Sequence, residues 1–270
     1  MADIKDTNNK NTNGNTANNG NTNTSSKSGG DVIKITGLKK AFGSNVVIDN
    51  MNLTVKKGET LVILGRSGTG KSVVLKCIVR LIKPDEGTIE VDGQNVDNLN
   101  GDDLQKFRKE VGFLFQSGAL YDSMTVRENL MFPVIRQSDY DGSNVEPKVE
   151  EELKNVGLSQ AIDKMPSELS GGMQKRIGLA RTLMLDPKII LYDEPTTGLD
   201  TYTSKEISEL IMDMKKKFGV TSVVVTHDMN CAKLISDRIV VLKDGRFVAQ
   251  GSFDELSKSD DEFIKSFFTY

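Results

Sequence analysis

Leu61-Val62-Ile63-Leu64-Gly65-Arg66-Ser67-Gly68-Thr69-Gly70-Lys71-Ser72 decides the fold. A short apolar run stops at a glycine. After Ser72, Val74, Ile78 and Leu81 recur at helical spacing. Between strand and helix lies G-x4-G-K-S, and each part of that spacing has a chemical reason. The glycines let the backbone curl so that successive N–H groups face one centre and cradle phosphate oxygens. A helix starting near Lys71 adds its positive N-terminal end. Lys71 reaches the β- and γ-phosphates, and the Ser72 hydroxyl is placed to ligate Mg²⁺. Gly65, Arg66, Ser67, Gly68, Thr69, Gly70, Lys71 and Ser72 are therefore read as a nucleotide-phosphate cradle.

Three further apolar runs have the character of buried strands: Val111–Phe115, Ile189–Tyr192 and Ser222–Thr226. Ile207, Leu210, Ile211 and Met214 mark one face of a helix. Strands alternating with helices predict a parallel sheet in an α/β fold. Val32–Thr36 and Val46–Val55 read as extended. Glu146–Asp186 shows no strand and reads as helical, enough for a helical subdomain. Asp237–Leu242 and Arg246–Gln250, joined by Lys243-Asp244-Gly245, read as a closing hairpin.

The Ile189–Tyr192 strand ends in Asp193 and Glu194. Two acids after a strand can simply open a solvated helix. Followed by Pro195 and sharing a chain with a phosphate loop, they read instead as acids facing the ligand crevice at the carboxyl end of a parallel strand. Asp193 then suits Mg²⁺, directly or through water, and Glu194 suits the role of general base on the attacking water.

Composition excludes other chemistry. Among 270 residues there is one His, so no multi-histidine metal site forms, and only two Cys, Cys77 and Cys231, far apart. That rules out a disulfide framework or zinc finger and leaves reduced thiols as the plain reading. The 35 basic residues nearly balance 38 acidic ones, net −3, so the bulk charge calls for no nucleic acid. No apolar run approaches the roughly 18 residues that cross a bilayer. Thr7–Gly30 is almost wholly Asn, Thr, Ser and Gly. Residues 1–30 are expected to be a disordered tail, with a docking or spacer segment as the alternative.

Ser167-Glu168-Leu169-Ser170-Gly171-Gly172-Met173-Gln174 precedes a strong helix. Ser170 is either an ordinary N-cap or, with Gly171 and Gly172, a second anion cradle on a helix N-terminus. With this string the sequence resembles the ATP-binding cassette (ABC) family over about residues 32 to 251, its motifs in the family's order. Phe42 corresponds to the aromatic that stacks on adenine. Gly65–Ser72 corresponds to the Walker A loop, Gln116 to the Q-loop glutamine and Ser170–Gln174 to the signature. Ile189–Asp193 corresponds to Walker B, with Glu194 next. Gly198-Leu199-Asp200 corresponds to the D-loop and His227 to the switch histidine. A lone histidine is otherwise more often structural. After Ser222–Thr226, its spacing suits contact with a γ-phosphate and Glu194.

The resemblance implies a P-loop NTPase of the ABC type, with a RecA-like parallel-sheet core, an antiparallel β subdomain and a helical subdomain at about 117–186. The cassette is expected over 31–258, with an aromatic tail at 259–270. The cofactors implied are ATP and Mg²⁺, the metal held by Ser72, Gln116 and Asp193. ATP is held in the family by Phe42, Gly65–Ser72 and, across a head-to-tail homodimer, by Ser170, Gly171, Gly172, Gln174 and Asp200. Glu194, His227 and Gln116 are the expected catalytic set.

Phe115-Gln116-Ser117-Gly118-Ala119-Leu120-Tyr121, then Met124-Thr125-Val126 and Phe132-Pro133, resembles the Mla/Mce-type ATPases that drive phospholipid movement between the membranes of diderm bacteria. So does Met165–Met173. That branch implies an integral-membrane permease, a Mce-type substrate-binding protein and a place at the cytoplasmic face of the inner membrane. Leu120, Tyr121 and Met124 are read either as part of the groove for the permease or as helical-subdomain core. An importer cassette for amino acids or other small solutes is a second reading, and a non-transport ABC ATPase a third. Phe263, Phe267, Phe268 and Tyr270 pack on the domain or on a partner.

Overall fold

The computed structural model describes residues 30–268, so the expected Asn-rich tail (all but Gly30) and Tyr270 lie outside the described residues. In chain order the strands are β1 (Asp31–Phe42), β2 (Asn45–Lys56), β3 (Thr60–Leu64), β4 (Glu86–Val91), β5 (Gln94–Asn95), β6 (Val111–Leu114), β7 (Ile189–Asp193), β8 (Thr221–Thr226), β9 (Arg238–Lys243) and β10 (Arg246–Gly251). The helices are α1 (Lys71–Ile78), α2 (Gly101–Glu110), α3 (Val126–Ile135), α4 (Glu146–Asn155), α5 (Gly171–Leu183), α6 (Thr201–Phe218), α7 (Met229–Ile235), α8 (Phe253–Ser257) and α9 (Glu262–Phe268).

Two sheets form. The larger has the order β10-β9-β3-β8-β7-β6, parallel except for the β10 edge strand. The smaller, β2-β1-β4-β5, is antiparallel. Every residue of β3, β7 and β8 is buried, as continuous apolar runs demand of strands covered on both faces. Their side chains divide with period two between two cores. Leu61, Ile63, Leu191, Val223 and Val225 face one that also holds α1 and the inner side of the antiparallel sheet. Val62, Leu64, Tyr192 and Val224 face the other, with α3 to α7. The loops that leave the carboxyl ends of β3, β7 and β8 therefore open side by side, where an α/β sheet binds its ligands.

The closing hairpin is β9–β10, and Asp244 and Gly245 both have positive φ (47° and 75°), as a type I′ turn requires. Helix α1 departs from expectation at its end. It stops at Ile78, Arg80 turns left-handed (φ 54°), and Leu81 is half exposed rather than continuing the apolar stripe. The Leu81 and Ile82 amides close onto the Lys76 carbonyl instead. The four residues Ile207, Leu210, Ile211 and Met214 are all buried on α6. Cys77 and Cys231 are free and buried, and burial pushes both thiols up to about 12, which leaves them as small apolar residues.

The aromatic C-terminus packs on the domain. Ile264 and Phe267 of α9 are buried, Phe268 meets Phe253 of α8 at 5.1 Å, and the Phe263 ring lies under Lys243 and Arg66. Among the described residues, no helix is long and apolar enough to cross a membrane.

Candidate functional site

The loop between β3 and α1 keeps its shape through Gly70. Its φ is 93°, and a Cβ there would stand 2.5 Å from Val47, so only glycine fits. Arg66, Ser67 and Gly68 are exposed at the rim, while Lys71 is only 4% exposed. The Lys71 ammonium donates to the carbonyls of Gly65 (2.7 Å) and Arg66 (3.0 Å) and pairs with Glu194 Oε1 at 3.1 Å. A buried cation thus stands at the first residue of α1, and a helix N-terminus with its free N–H groups favours an anion. Arg66 points its guanidinium away, over the Phe263 ring at 5.5 Å.

Strand β7 delivers both acids. Asp193 is 5% exposed, and its Oδ1 accepts the Ser72 hydroxyl at 2.5 Å. Burial raises its pKa, and the Ser72 hydrogen bond works in the opposite direction. A hydroxyl beside a desolvated carboxylate is a hard-oxygen pair, a donor set that fits Mg²⁺. The native Asp193 thus binds its proton more tightly than the unfolded one. Wild-type stability therefore rises as pH falls through the native carboxyl's raised value. Asp193→Asn, nucleotide-free, is expected to be more stable at neutral pH by about 1 kcal/mol and to lack that acid-side gain, while losing Mg²⁺-dependent turnover. Thermal melts of both proteins from neutral to acidic pH check this; equal melting temperatures throughout would remove Asp193 as a strained ligand.

Glu194 sits in the left-handed region (φ 50°), a conformation that costs a non-glycine residue about 1–3 kcal/mol and is held here by its own N–H on the Val225 carbonyl (3.0 Å). Its carboxylate is fully engaged. Oε2 meets His227 Nδ1 at 2.8 Å and accepts the Thr197 hydroxyl at 3.1 Å, while Oε1 meets Lys71. His227 follows β8 and is half exposed, so one ring nitrogen holds the acid and the other faces the open side. Lys71, Ser72, Asp193, Glu194 and His227, five residues from three separate stretches of the sequence, thus meet in one neighbourhood.

The remaining expected residues occupy a second neighbourhood. Ser170 caps α5, its hydroxyl accepting the Met173 amide at 3.3 Å, and Gly171 and Gly172 press on Leu199 and Thr203. Two of the expected nucleotide-binding residues also make bonds within this chain's own fold. Gln174, grouped with the anion cradle, turns its amide back to the carbonyls of Pro166 (3.0 Å) and Leu169 (3.4 Å) and so braces the approach to Ser170 from behind. Asp200 spends its carboxylate on the N-cap of α6, accepting from the Thr203 amide (3.0 Å) and hydroxyl (2.7 Å), which lowers its pKa. Gln116 lies exposed just past β6, and Phe42 is half exposed at the end of β1 with Lys40 over its ring at 5.4 Å.

Thr197 and Lys175 belong to the site and were not foreseen. Lys175, 5% exposed on α5, donates to the Thr197 carbonyl at 2.5 Å and thereby ties the Ser170 helix to the segment that holds Glu194. Burial lowers its pKa to about 8, against the pull of Glu194. The readable signal was a lysine standing in line with Leu179 and Leu183 on an apolar helix stripe. Beside His227 a cleft of about 1060 Å³ opens between α6 and α7, with Leu199, Leu234 and the exposed Tyr202 on its walls.

The chain is similar to known proteins over most of its length. A family model described as ABC transporter matches residues 48–197. The probable ribonucleotide transport ATP-binding protein mkl of Mycobacterium tuberculosis is 40% identical over 235 residues, 87% of this chain. The chain spans 66% of mkl's length. The intermembrane phospholipid transport system ATP-binding protein MlaF of Haemophilus influenzae is 38% identical over 237 residues, 88% of this chain and 90% of MlaF. The dimeric, post-hydrolysis structure of the cassette MJ0796 bound to ADP and Pi is similar at TM-score 0.75 and 36% identity, covering 82% of this chain and 98% of that one.

Proposed function

Because the chain belongs to the ABC transporter family, and is an ATP hydrolase of that kind, we propose that it powers a permease that moves phospholipid between membranes. It would sit at the cytoplasmic face of the inner membrane. The observation that carries the lipid branch is the Gln116–Val126 string, in a chain that matches MlaF almost end to end.

The residues divide the work. Amides of Gly65–Ser72 hold the phosphates of ATP, and Lys71 exchanges Glu194 for the β- and γ-oxygens. Glu194, still held by His227 and Thr197, orients water and takes its proton as the water attacks the γ-phosphorus and the bond to the bridging oxygen breaks, leaving ADP and phosphate. His227 contacts the γ-phosphate on the open side. Ser72, Asp193 and Gln116 would hold Mg²⁺, which when bound neutralises developing phosphate charge. Phe42 stacks on the adenine. A second copy of the chain brings Ser170, Gly171 and Gly172 to the far side of the ATP, and the exposed Tyr202 beside the Gly198–Asp200 turn lies on the rim that copy would cover. Ser170→Arg is expected to leave the monomer's stability within about 1 kcal/mol of wild type but to abolish ATP-driven dimerisation. Light scattering with the hydrolysis-deficient Glu194→Gln background reads this, and an intact ATP-bound dimer would remove Ser170 from the interface.

The permease would seat in a groove of about 250 Å³ lined by Leu81, Phe113, Phe115, Pro133, Arg108 and Arg181. Tyr121 stands exposed nearby, while Leu120 and Met124 are half-buried, Leu120 against the helical core. A Mce-type binding protein completes this reading. A small-solute importer is the second reading, favoured by mkl, whose name carries ribonucleotide transport. Purification from native membranes separates the two. Phospholipid with a Mce-type partner supports the first; a soluble solute-binding partner and no lipid overturns it.

A further inference from the structure

Gly118 and Ala119, just beyond Gln116, are both left-handed, with φ of 75° and 49°. Glycine adopts this freely, but alanine does so at a cost of roughly 1 kcal/mol or more. Consecutive left-handed residues turn both carbonyls toward α5, and Arg181 receives them. Its Nη1 donates to Ala119 O at 2.8 Å and its Nη2 to Gly118 O at 3.2 Å, while its guanidinium lies on the Tyr121 ring at 5.7 Å. The loop has no room to shift sideways. A Cβ on Gly118 would stand 2.8 Å from Gln174 O, and one on Gly178 would stand 2.9 Å from Gly118 O. The far end of the loop is fixed separately. Asn129, fully buried, accepts from the Tyr121 amide at 2.8 Å and donates to the carbonyls of Tyr121, Met124 and Thr125.

We propose that Arg181 is a positioning residue for Gln116, acting through the carbonyls of Gly118 and Ala119; this rests on the reading of Gln116 as a metal ligand. β6 ends at Leu114, so Gln116 takes its direction from the turn that follows it. Two charge-assisted hydrogen bonds offset the strain at Ala119. Without them Ala119 relaxes to negative φ, the two peptide planes rotate, and the turn no longer sets the direction in which Gln116 would reach the metal held by Ser72 and Asp193. The same guanidinium lines the proposed permease groove, so what seats there meets the residue that sets the glutamine.

The test uses the full chain. In Arg181→Gln without nucleotide, the Gly118 amide, now bonded to Phe115 O at 2.8 Å, is expected to exchange with deuterium roughly tenfold faster, and the Tyr121 amide to be unchanged. Binding of Mn²⁺–ATP, read by electron paramagnetic resonance, should weaken roughly tenfold. Adding Ala119→Gly removes the strain and should restore part of that binding, which a general loss of packing would not allow. Should Arg181→Gln fail to fold, Ala119→Val at this exposed position is expected to weaken Mn²⁺–ATP binding in the same way. Gln116→Ala is the control. If it weakens Mn²⁺–ATP binding and the Arg181 and Ala119 variants do not, the inference is wrong. If Gln116→Ala itself binds Mn²⁺–ATP like wild type, the metal-ligand reading is wrong and the inference falls with it.

Discussion

Glu194→Gln is expected to lower ATP turnover by roughly 10²–10⁴-fold while ATP still binds. The substitution keeps the volume and the acceptor oxygen that His227 and Thr197 use, so the left-handed backbone at 194 and its neighbours stay in place. It removes one thing, the capacity to take a proton from water. Lys71 loses its ionic partner but keeps the carbonyls of Gly65 and Arg66, and is free to meet phosphate. Turnover measured beside equilibrium ATP binding therefore separates the two roles. Wild-type turnover in the variant would transfer the base to another residue. Lost binding would mean that Glu194 builds the pocket rather than working in it.

Lys71→Ala should act on two levels at once. ATP loses a charged donor to its β- and γ-oxygens, and affinity is expected to fall on the order of 10²-fold. The nucleotide-free protein also loses a buried cation, leaving Glu194 desolvated without its counter-charge, and such breakage costs about 3–5 kcal/mol. The second effect is checked by combination. If the cost comes from the stranded carboxylate, Lys71→Ala with Glu194→Gln will be more stable than Lys71→Ala alone. A double variant that loses the sum of both single effects would show that the ion pair contributes nothing to the fold. Nucleotide affinity should stay low in both, since no neutral side chain replaces the ammonium.

The parts legible in the sequence were those where a pattern has one physical cause. Leu61–Leu64, Ile189–Tyr192 and the Val223–Val225 centre of Ser222–Thr226 form unbroken hydrophobic runs because both faces of their sheet are covered. Asp244-Gly245 read as a turn because few other pairs tolerate two positive φ values. β4 and α2 escaped notice because neither carries a pattern. Glu86–Val91 buries only Ile89 and Val91, and α2 buries only Phe107 among charged residues. The phosphate loop, the acids and the histidine were legible by spacing and resemblance, and they converge. Direction was not legible. Gln174 and Asp200 have the chemistry to bind a nucleotide, and nothing in the sequence says that their side chains also meet the Pro166 carbonyl and the Thr203 amide. The left-handed Glu194 and the Lys175–Thr197 bond depend on elements far apart in the chain, which composition and period cannot place.

Helix α5 has no play in its bearings. At one end Gly172 lies so near Thr203 that a methyl would stand 2.4 Å from its Cγ2, and further along Gly178 lies against the Gly118 carbonyl. Side chains between packed elements act as springs, since a rotamer change absorbs part of any displacement. Gly178 against a backbone carbonyl leaves no such spring, whereas at Gly172 the Thr203 side chain is the only give. A methyl at either glycine would have to push its neighbour aside.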